Sequence, residues 1–90
     1  MTATYVRTLE KVPGRLIEQY RLSSPFGGEE HVLLYEVQRD GKCGTHVYPC
    51  DTLGIQHGYS TMLSAGEERG IVETLEYLGY DVIRPGWLAN

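Results

Sequence analysis

The chain has 90 residues, a formal net charge of −4 and 41% hydrophobic residues, with no low-complexity run. This composition is typical of one folded domain spanning residues 1–90, and it lacks the roughly 18 consecutive apolar residues of a membrane span. The N-terminal residues also lack the basic and apolar segments of a secretory signal, so we expect a cytoplasmic protein with no membrane association. The acidic balance argues against a reader of duplex nucleic acid, which normally carries a basic surface.

The first third of the chain predicts two strands. Residues 4–12 are rich in β-branched and aromatic residues and end at Pro13-Gly14, which is a turn signal. Residues 15–22 fit either a strand or a helix, and we favour a strand because Val12 is a poor helix cap. The following sequence SSPFGG, residues 23–28, indicates a loop.

The clearest local signal is a β-hairpin over residues 31–50. Two β-rich runs are joined by Asp40-Gly41, a dipeptide suited to a type I′ turn. A two-residue loop at this position places His31 opposite Cys50. It also places five side chains on one face of the hairpin: Leu33, Tyr35, Val37, His46 and Tyr48.

The second half predicts one helix and one more strand. Ser64-Ala65-Gly66-Glu67 has the form of a capping box, and Gly79 suits a left-handed C-terminal cap, so we predict a helix over residues 65–78. Its apolar residues at helical spacing are Ile71, Val72, Leu75 and Leu78. Gly66, Gly70 and Tyr77 then share a flank, where the glycines would allow a close backbone approach. Residues 80–84 predict a final strand before Pro85-Gly86.

The element order is therefore β-β-β-β-α-β. We expect the α+β class, with an antiparallel four-stranded sheet and one amphipathic helix packed on one face. The connection over residues 51–63 is long for so small a domain, and we expect it to cover an open edge of the core. Its apolar side chains are Ile55, Tyr59, Met62 and Leu63.

Cysteine and histidine are clustered in the middle of the chain, and both are residue types that zinc prefers. The residues concerned are Cys43, His46, Cys50 and His57. On a regular strand Cys43 and His46 point to opposite faces, and His46 and Cys50 are about 13 Å apart. Cys43 and Cys50 are about 23 Å apart on the same basis, beyond the reach of a disulfide. We therefore expect free thiols, no metal and no cofactor.

Three hypotheses for function remain, and the leading one is a non-enzymatic protein-interaction module. Such a module fits a small acidic inhibitor or adaptor that docks on a larger protein. Seven tyrosines and one tryptophan exceed what one small core needs, and recognition surfaces are enriched in both residue types. The candidate interaction residues are Glu73, Glu76, Tyr77, Tyr59 and Trp87.

Each of the two alternative hypotheses depends on a specific group of residues. A nucleic-acid-binding module would use basic residues on the first two predicted strands: Arg7, Lys11, Arg15 and Arg21. A metal-binding or thiol-dependent enzyme would use a site around His31, His46, Cys50 and His57. A homodimer formed through edge strands is compatible with each hypothesis.

Overall fold

The computed structural model describes residues 1–56, 64–67 and 69–88. These residues form one sheet with the strand order β5-β4-β3-β2-β1-β6 and one short helix, which confirms the α+β class. The sheet of the described residues has six strands, where we expected a four-stranded sheet, because the predicted last strand pairs with β1 and the unpredicted β5 pairs with β4. The elements are β1 (Thr2–Val12), β2 (Arg15–Phe26), β3 (Glu29–Arg39), β4 (Lys42–Cys50), β5 (Ser64–Glu67), α1 (Ile71–Tyr77) and β6 (Asp81–Ile83).

The first four strands form an antiparallel meander, as predicted. The interpretation of residues 15–22 as a strand is confirmed, but β2 continues to Phe26, so the predicted loop over residues 23–28 is wrong for its first four residues. The strand continues because Phe26 pairs with Glu29 and packs against the core. The turn is confined to Gly27 and Gly28, both at positive φ.

The central hairpin has the predicted register along its whole length. Asp40 and Gly41 both have positive φ, 52° and 76°, as a type I′ turn requires. Arg39 pairs with Lys42 at the turn, and His31 pairs with Cys50 at the far end. The alternation of side chains inferred from the sequence is therefore confirmed over residues 31–50.

The helix begins later than predicted. Residues 64–67 form β5, which pairs with β4 from Val47 to Gly44, so the predicted capping box and the first turns of the helix are wrong. The edge of β4 offers this segment backbone hydrogen bonds that compete with a helix. Gly70 is instead the N-cap residue, and the Glu36 carboxylate accepts a hydrogen bond of 3.0 Å from the backbone N–H of Ile71.

This later start also removes the predicted glycine flank, because Gly66 lies in β5 and not on the helix. Gly79 follows the helix at φ 98°, which confirms a left-handed residue there. The predicted last strand is confirmed as β6, which pairs in parallel with β1 through Thr2–Asp81, Ala3–Val82 and Thr4–Ile83. Among the described residues, no helix is long and apolar enough to cross a membrane.

The core lies between the sheet and α1. We call the covered side of the sheet the helix face. Strand residues of this face meet Ile71 and Leu75 of the helix and Tyr80 beyond it, which confirms a helix packed on one face. The buried strand residues are Ala3, Tyr20, Leu22, Val32, Leu34 and Val47.

Candidate functional site

The opposite side of the sheet, which we call the outer face, carries the side chains that alternate with the helix face. Among the described residues, the segment 51–56 packs on one end of it, while α1 lies on the other side of the sheet. The strand register assigns to it Arg15, Ile17, Gln19 and Arg21 of β2, His31, Leu33, Tyr35 and Val37 of β3, and Gly44, His46, Tyr48 and Cys50 of β4.

Two β-bulges in β1 decide which of its side chains reach the outer face. The register shifts between Tyr5 and Arg7 and between Thr8 and Glu10. Val6 and Leu9 are therefore the inserted residues of the two bulges and pair with no residue of β2. Each bulge reverses the alternation that follows it. Arg7 therefore lies opposite Gln19 on the outer face, whereas Lys11 pairs with Leu16 and lies on the helix face. The basic group predicted on the first two strands is thus divided between the two faces.

Aliphatic side chains are exposed around the outer face. Val12 pairs with Arg15, and Leu9 lies beside Gly54 of the segment 51–56. The exposed fractions are 44% for Leu9, 48% for Val12, 66% for Leu53 and 51% for Ile55. Ile55 therefore does not bury itself on the core as predicted, and Tyr59, Met62 and Leu63 lie outside the described residues. These four aliphatic side chains of β1 and of the segment 51–56 are thus exposed.

An aromatic pair lies on the outer face of β3 and β4. The rings of Tyr35 and Tyr48 are in edge contact, with centroids 5.0 Å apart and an interplanar angle of 69°. Both tyrosines are half-buried, as are Val37 and His46 beside them. Ring contacts of this geometry are favourable, so the pair is held in place before any partner binds.

A buried polar network attaches the segment 51–56 to the sheet. Gln19 Nε2 donates a hydrogen bond of 3.0 Å to the carbonyl of Thr52, and Arg7 donates another of 3.0 Å to the same oxygen. Gln19 Nε2 also lies 2.9 Å from His31 Nδ1. Because the amide nitrogen is a donor, His31 Nδ1 is the acceptor of this hydrogen bond. The Asp51 carboxylate accepts from the backbone N–H groups of Leu53 and Ile55, both at 2.9 Å.

The thiol-dependent hypothesis is weakened by the surroundings of Cys50. His31 does lie opposite Cys50, as the sequence predicted. The thiol is buried, and burial, with Asp51 and Glu29 nearby, raises its pKa to about 11. It is therefore protonated at neutral pH, and a thiol of this kind is a poor nucleophile. Burial also raises the pKa of Cys43, whose Sγ donates to the backbone carbonyl of Arg69.

The residues of the zinc hypothesis do not converge where they are described. The confirmed register places Cys43 and His46 on opposite sides of β4, and Cys43 and Cys50 are free. Within residues 1–56, 64–67 and 69–88, no group of three or more His, Cys, Asp or Glu side chains lies close enough to hold a metal ion. His57 is outside these ranges.

Four of the interaction residues named from the sequence lie on the helix side of the molecule. Glu73, Glu76 and Tyr77 are exposed on α1, and the Arg69 guanidinium lies 4.1 Å from the Tyr77 ring centroid. Trp87 is exposed and makes an edge contact with Tyr5. Tyr59 lies outside the described residues. The sequence assigns Tyr35 and Tyr48 to one face, but we did not select them as interaction residues. The available signal was that one helix can cover only one side of a sheet, so the other side needs another role.

A cleft of about 580 Å³ separates α1 from the β1–β2 end of the sheet. At its floor Arg84 pairs with Glu18 at 2.6 Å and donates to the Tyr20 hydroxyl, which in turn donates to Glu18 at 2.8 Å. Burial and the Glu18 carboxylate raise the pKa of Tyr20, so its hydroxyl keeps its proton. The Glu18 carboxylate thus has its hydrogen-bond donors within the fold. Because Arg84 follows β6, these bonds also attach the chain after β6 to the sheet.

Comparison with known proteins adds no assignment. No family model matches this chain, and neither a curated protein nor a solved structure matches it. The functional argument therefore depends on the geometry described above.

Proposed function

We propose that this chain is a non-enzymatic protein-interaction module that docks on a larger protein through its outer face. The observation that carries the proposal is the presence, on the side of the sheet away from α1, of the half-buried Tyr35–Tyr48 pair together with exposed aliphatic side chains of β1 and of the segment 51–56. Single exposed aliphatics are ordinary on protein surfaces, but several side by side mark interaction sites. An inhibitor or an adaptor would act through such a surface.

The composition of the outer face also supports a protein partner. Tyrosine and arginine are enriched at protein interfaces, and both occur here with the aliphatic side chains. Buried Ile17 and Leu33 lie between the exposed residues and stiffen the sheet beneath them. A surface that is already ordered loses little conformational entropy on binding, so more of its contact energy contributes to affinity.

A nucleic-acid-binding module is the second candidate, because Arg7, Arg15 and Arg21 share the outer face with the two tyrosines. Single strands bind to sheets through stacking on aromatic rings and charge. The aliphatic side chains offer no stacking surface, and the two rings already contact each other. We therefore favour a protein partner.

Site-specific photo-crosslinking tests the proposal. A benzoylphenylalanine replaces Tyr35 on the outer face in one variant and Tyr77 on the helix side in a matched variant, each expressed in its native host. We expect discrete adducts from position 35 that protease removes and nuclease does not, and few or none from position 77. Adducts from position 77 alone, or none from either, would exclude docking through the outer face. Adducts sensitive to nuclease would favour the second candidate.

A further inference from the structure

The cleft beside α1 has the size and the walls of a small-molecule site, and it lies on the side of the sheet away from the proposed docking surface. Its volume of about 580 Å³ falls within the range of about 300 to 1,000 Å³ that is typical of ligand pockets. Its apolar walls are formed by Leu16 of β2, Ile71 and Val72 of α1, and Leu88 beyond β6. Except for Ile71, these side chains are only half-buried, so they offer apolar surface to a ligand.

The charged groups that line the cleft are only partly neutralised by one another. Arg84 is paired with Glu18 at 2.6 Å, so these two charges compensate each other at the floor. The other charged lining residues are Lys11, Glu36 and Glu73. None of these three forms an ion pair with another of the described residues. A ligand in the cleft therefore meets one unpaired cation and two unpaired carboxylates.

The two unpaired carboxylates converge at the start of α1. A Cβ on Gly70 would lie 3.2 Å from Glu36 Oε2 and 3.9 Å from Glu73 Oε1, so both oxygens border the same position. The hydrogen bond that Glu36 accepts from the helix comes from a neutral backbone N–H, which leaves the carboxylate charge uncompensated. The neighbouring Arg69 guanidinium lies over the Tyr77 ring and pairs with neither carboxylate. This end of the cleft suits an ammonium group, which donates hydrogen bonds to carboxylates.

The unpaired cation lies at the other end of the cleft. The strand register pairs Lys11 with Leu16 and Leu16 with Glu36. Lys11 and Glu36 are thus two strands apart, which is about 10 Å between their backbones at about 4.8 Å per strand. Leu16 lies between them. The exposed Lys11 ammonium suits an anionic group, and Leu16 suits an apolar chain that joins the two ends.

We propose that the cleft binds a small zwitterion whose ammonium and carboxylate groups are joined by an apolar chain. The ammonium group lies at Glu36 and Glu73, the chain packs on Leu16 and Val72, and the carboxylate meets Lys11. The apolar contacts provide most of the affinity, while the opposite charges at the two ends fix the orientation of the ligand. An amine without the acid, or an acid without the amine, leaves one end of the cleft without its counter-charge.

Nuclear magnetic resonance of the isotope-labelled protein tests this proposal. The probe is ω-aminooctanoate, and octanoate and octylamine are its analogues with a single charge. We expect saturable shifts of the amide resonances of Leu16, Gly70 and Val72. We also expect aminooctanoate to bind about fivefold more tightly than either analogue, because one exposed ion pair contributes up to about that factor.

Two pairs of substitutions show whether the preference comes from the cleft. Lys11→Gln with Glu73→Gln removes one charge from each end, and Lys42→Gln with Glu76→Gln makes the same change at exposed positions outside the cleft. The cleft pair should reduce the preference for aminooctanoate to about twofold or less, and the control pair should preserve it. The proposal would be overturned by the absence of saturable shifts at the three amides, by an analogue that binds as tightly as aminooctanoate, or by a preference that responds equally to both variant pairs.

Discussion

The helix face and the outer face are made by alternate residues of the same strands, yet they are completed in different ways. On the helix face, Tyr20, Leu34 and Val47 are fully buried, and Leu75 of α1 closes over them. On the outer face, Ile17 and Leu33 are also buried, but Tyr35 and Tyr48 are only half-buried, and Leu9 and Leu53 are exposed. The helix face buries its apolar side chains within the chain, whereas the outer face leaves part of its apolar surface exposed.

The polar groups show the same division. The Glu18–Arg84 pair of the helix face is mostly buried at the floor of the cleft beside α1, whereas the Glu10–Arg15 pair of the outer face is open to solvent. Buried pairs are costly to break, and exposed pairs contribute little to stability. Stability should therefore depend more on the buried residues of the helix face than on the exposed positions of the outer face.

The largest expected difference comes from the two ion pairs. Glu18→Gln leaves Arg84 without its carboxylate in a buried site, so we expect a loss of about 3 to 5 kcal/mol in the free energy of unfolding. Glu10→Gln makes the same chemical change on the outer face and should cost about 1 kcal/mol or less. Urea denaturation measures both values. Equal losses from the two variants would contradict the division between the faces.

The next largest difference is between apolar residues. Leu75 is buried against the helix face, and Leu75→Ala should cost about 3 kcal/mol through lost burial and the cavity that remains. Leu53 is exposed beside the outer face, and Leu53→Ala should change the free energy of unfolding by about 0.5 kcal/mol or less. The same urea titration tests the pair, and a large loss for Leu53→Ala would show that this residue stabilises the fold.

The sequence was sufficient where structure is determined locally. Asp40-Gly41 determines a two-residue turn, and the turn then determines the register of the hairpin out to His31 and Cys50. The start of the helix was wrong because Ser64–Glu67 has a good local helix signal but pairs with the edge of β4. That outcome depends on contacts between residues about twenty positions apart in the chain, which no local pattern encodes.

The candidate site was predictable in part for the same reason. Strand alternation alone places Tyr35, Val37 and Tyr48 on one face. It did not separate Arg7 from Lys11, because the bulge at Leu9 between them has no clear sequence signal and reverses the alternation. The docking of Thr52 on Gln19 and Arg7 is a long-range contact, and it was likewise not predictable from the spacing of residues.

The pH dependence of stability tests whether the Cys50 thiol of the outer face is buried. The pKa of Cys50 is about 11 in the fold against 9.0 for an ordinary thiol. A thiol whose pKa is raised by folding contributes stability that is complete below pH 9 and is lost as the pH rises from 9 to 11, because the unfolded chain loses its proton first. The expected loss is about 2 kcal/mol.

The measurement compares the free energy of unfolding of the wild type and Cys50→Ala across this pH range. The burial-raised pKa of Tyr20 acts in the same direction at higher pH, but it is common to both proteins. The difference between the two proteins therefore reports Cys50. A difference that stays constant from pH 8 to pH 11 would show that the thiol is not buried as described.

The smallest effect concerns the segment that borders the outer face. Gly54 has φ 78°, and a Cβ there would lie 3.0 Å from Gln19 Oε1, so Gly54→Ala combines backbone strain with a close contact. We expect a loss of about 1 to 2 kcal/mol and faster amide exchange over residues 51–55. Gly86→Ala is the matched control, because a Cβ there meets no atom within 4 Å. If exchange over residues 51–55 is unchanged while stability falls, the strain is relieved elsewhere, and the segment does not depend on Gln19 for its position on the outer face.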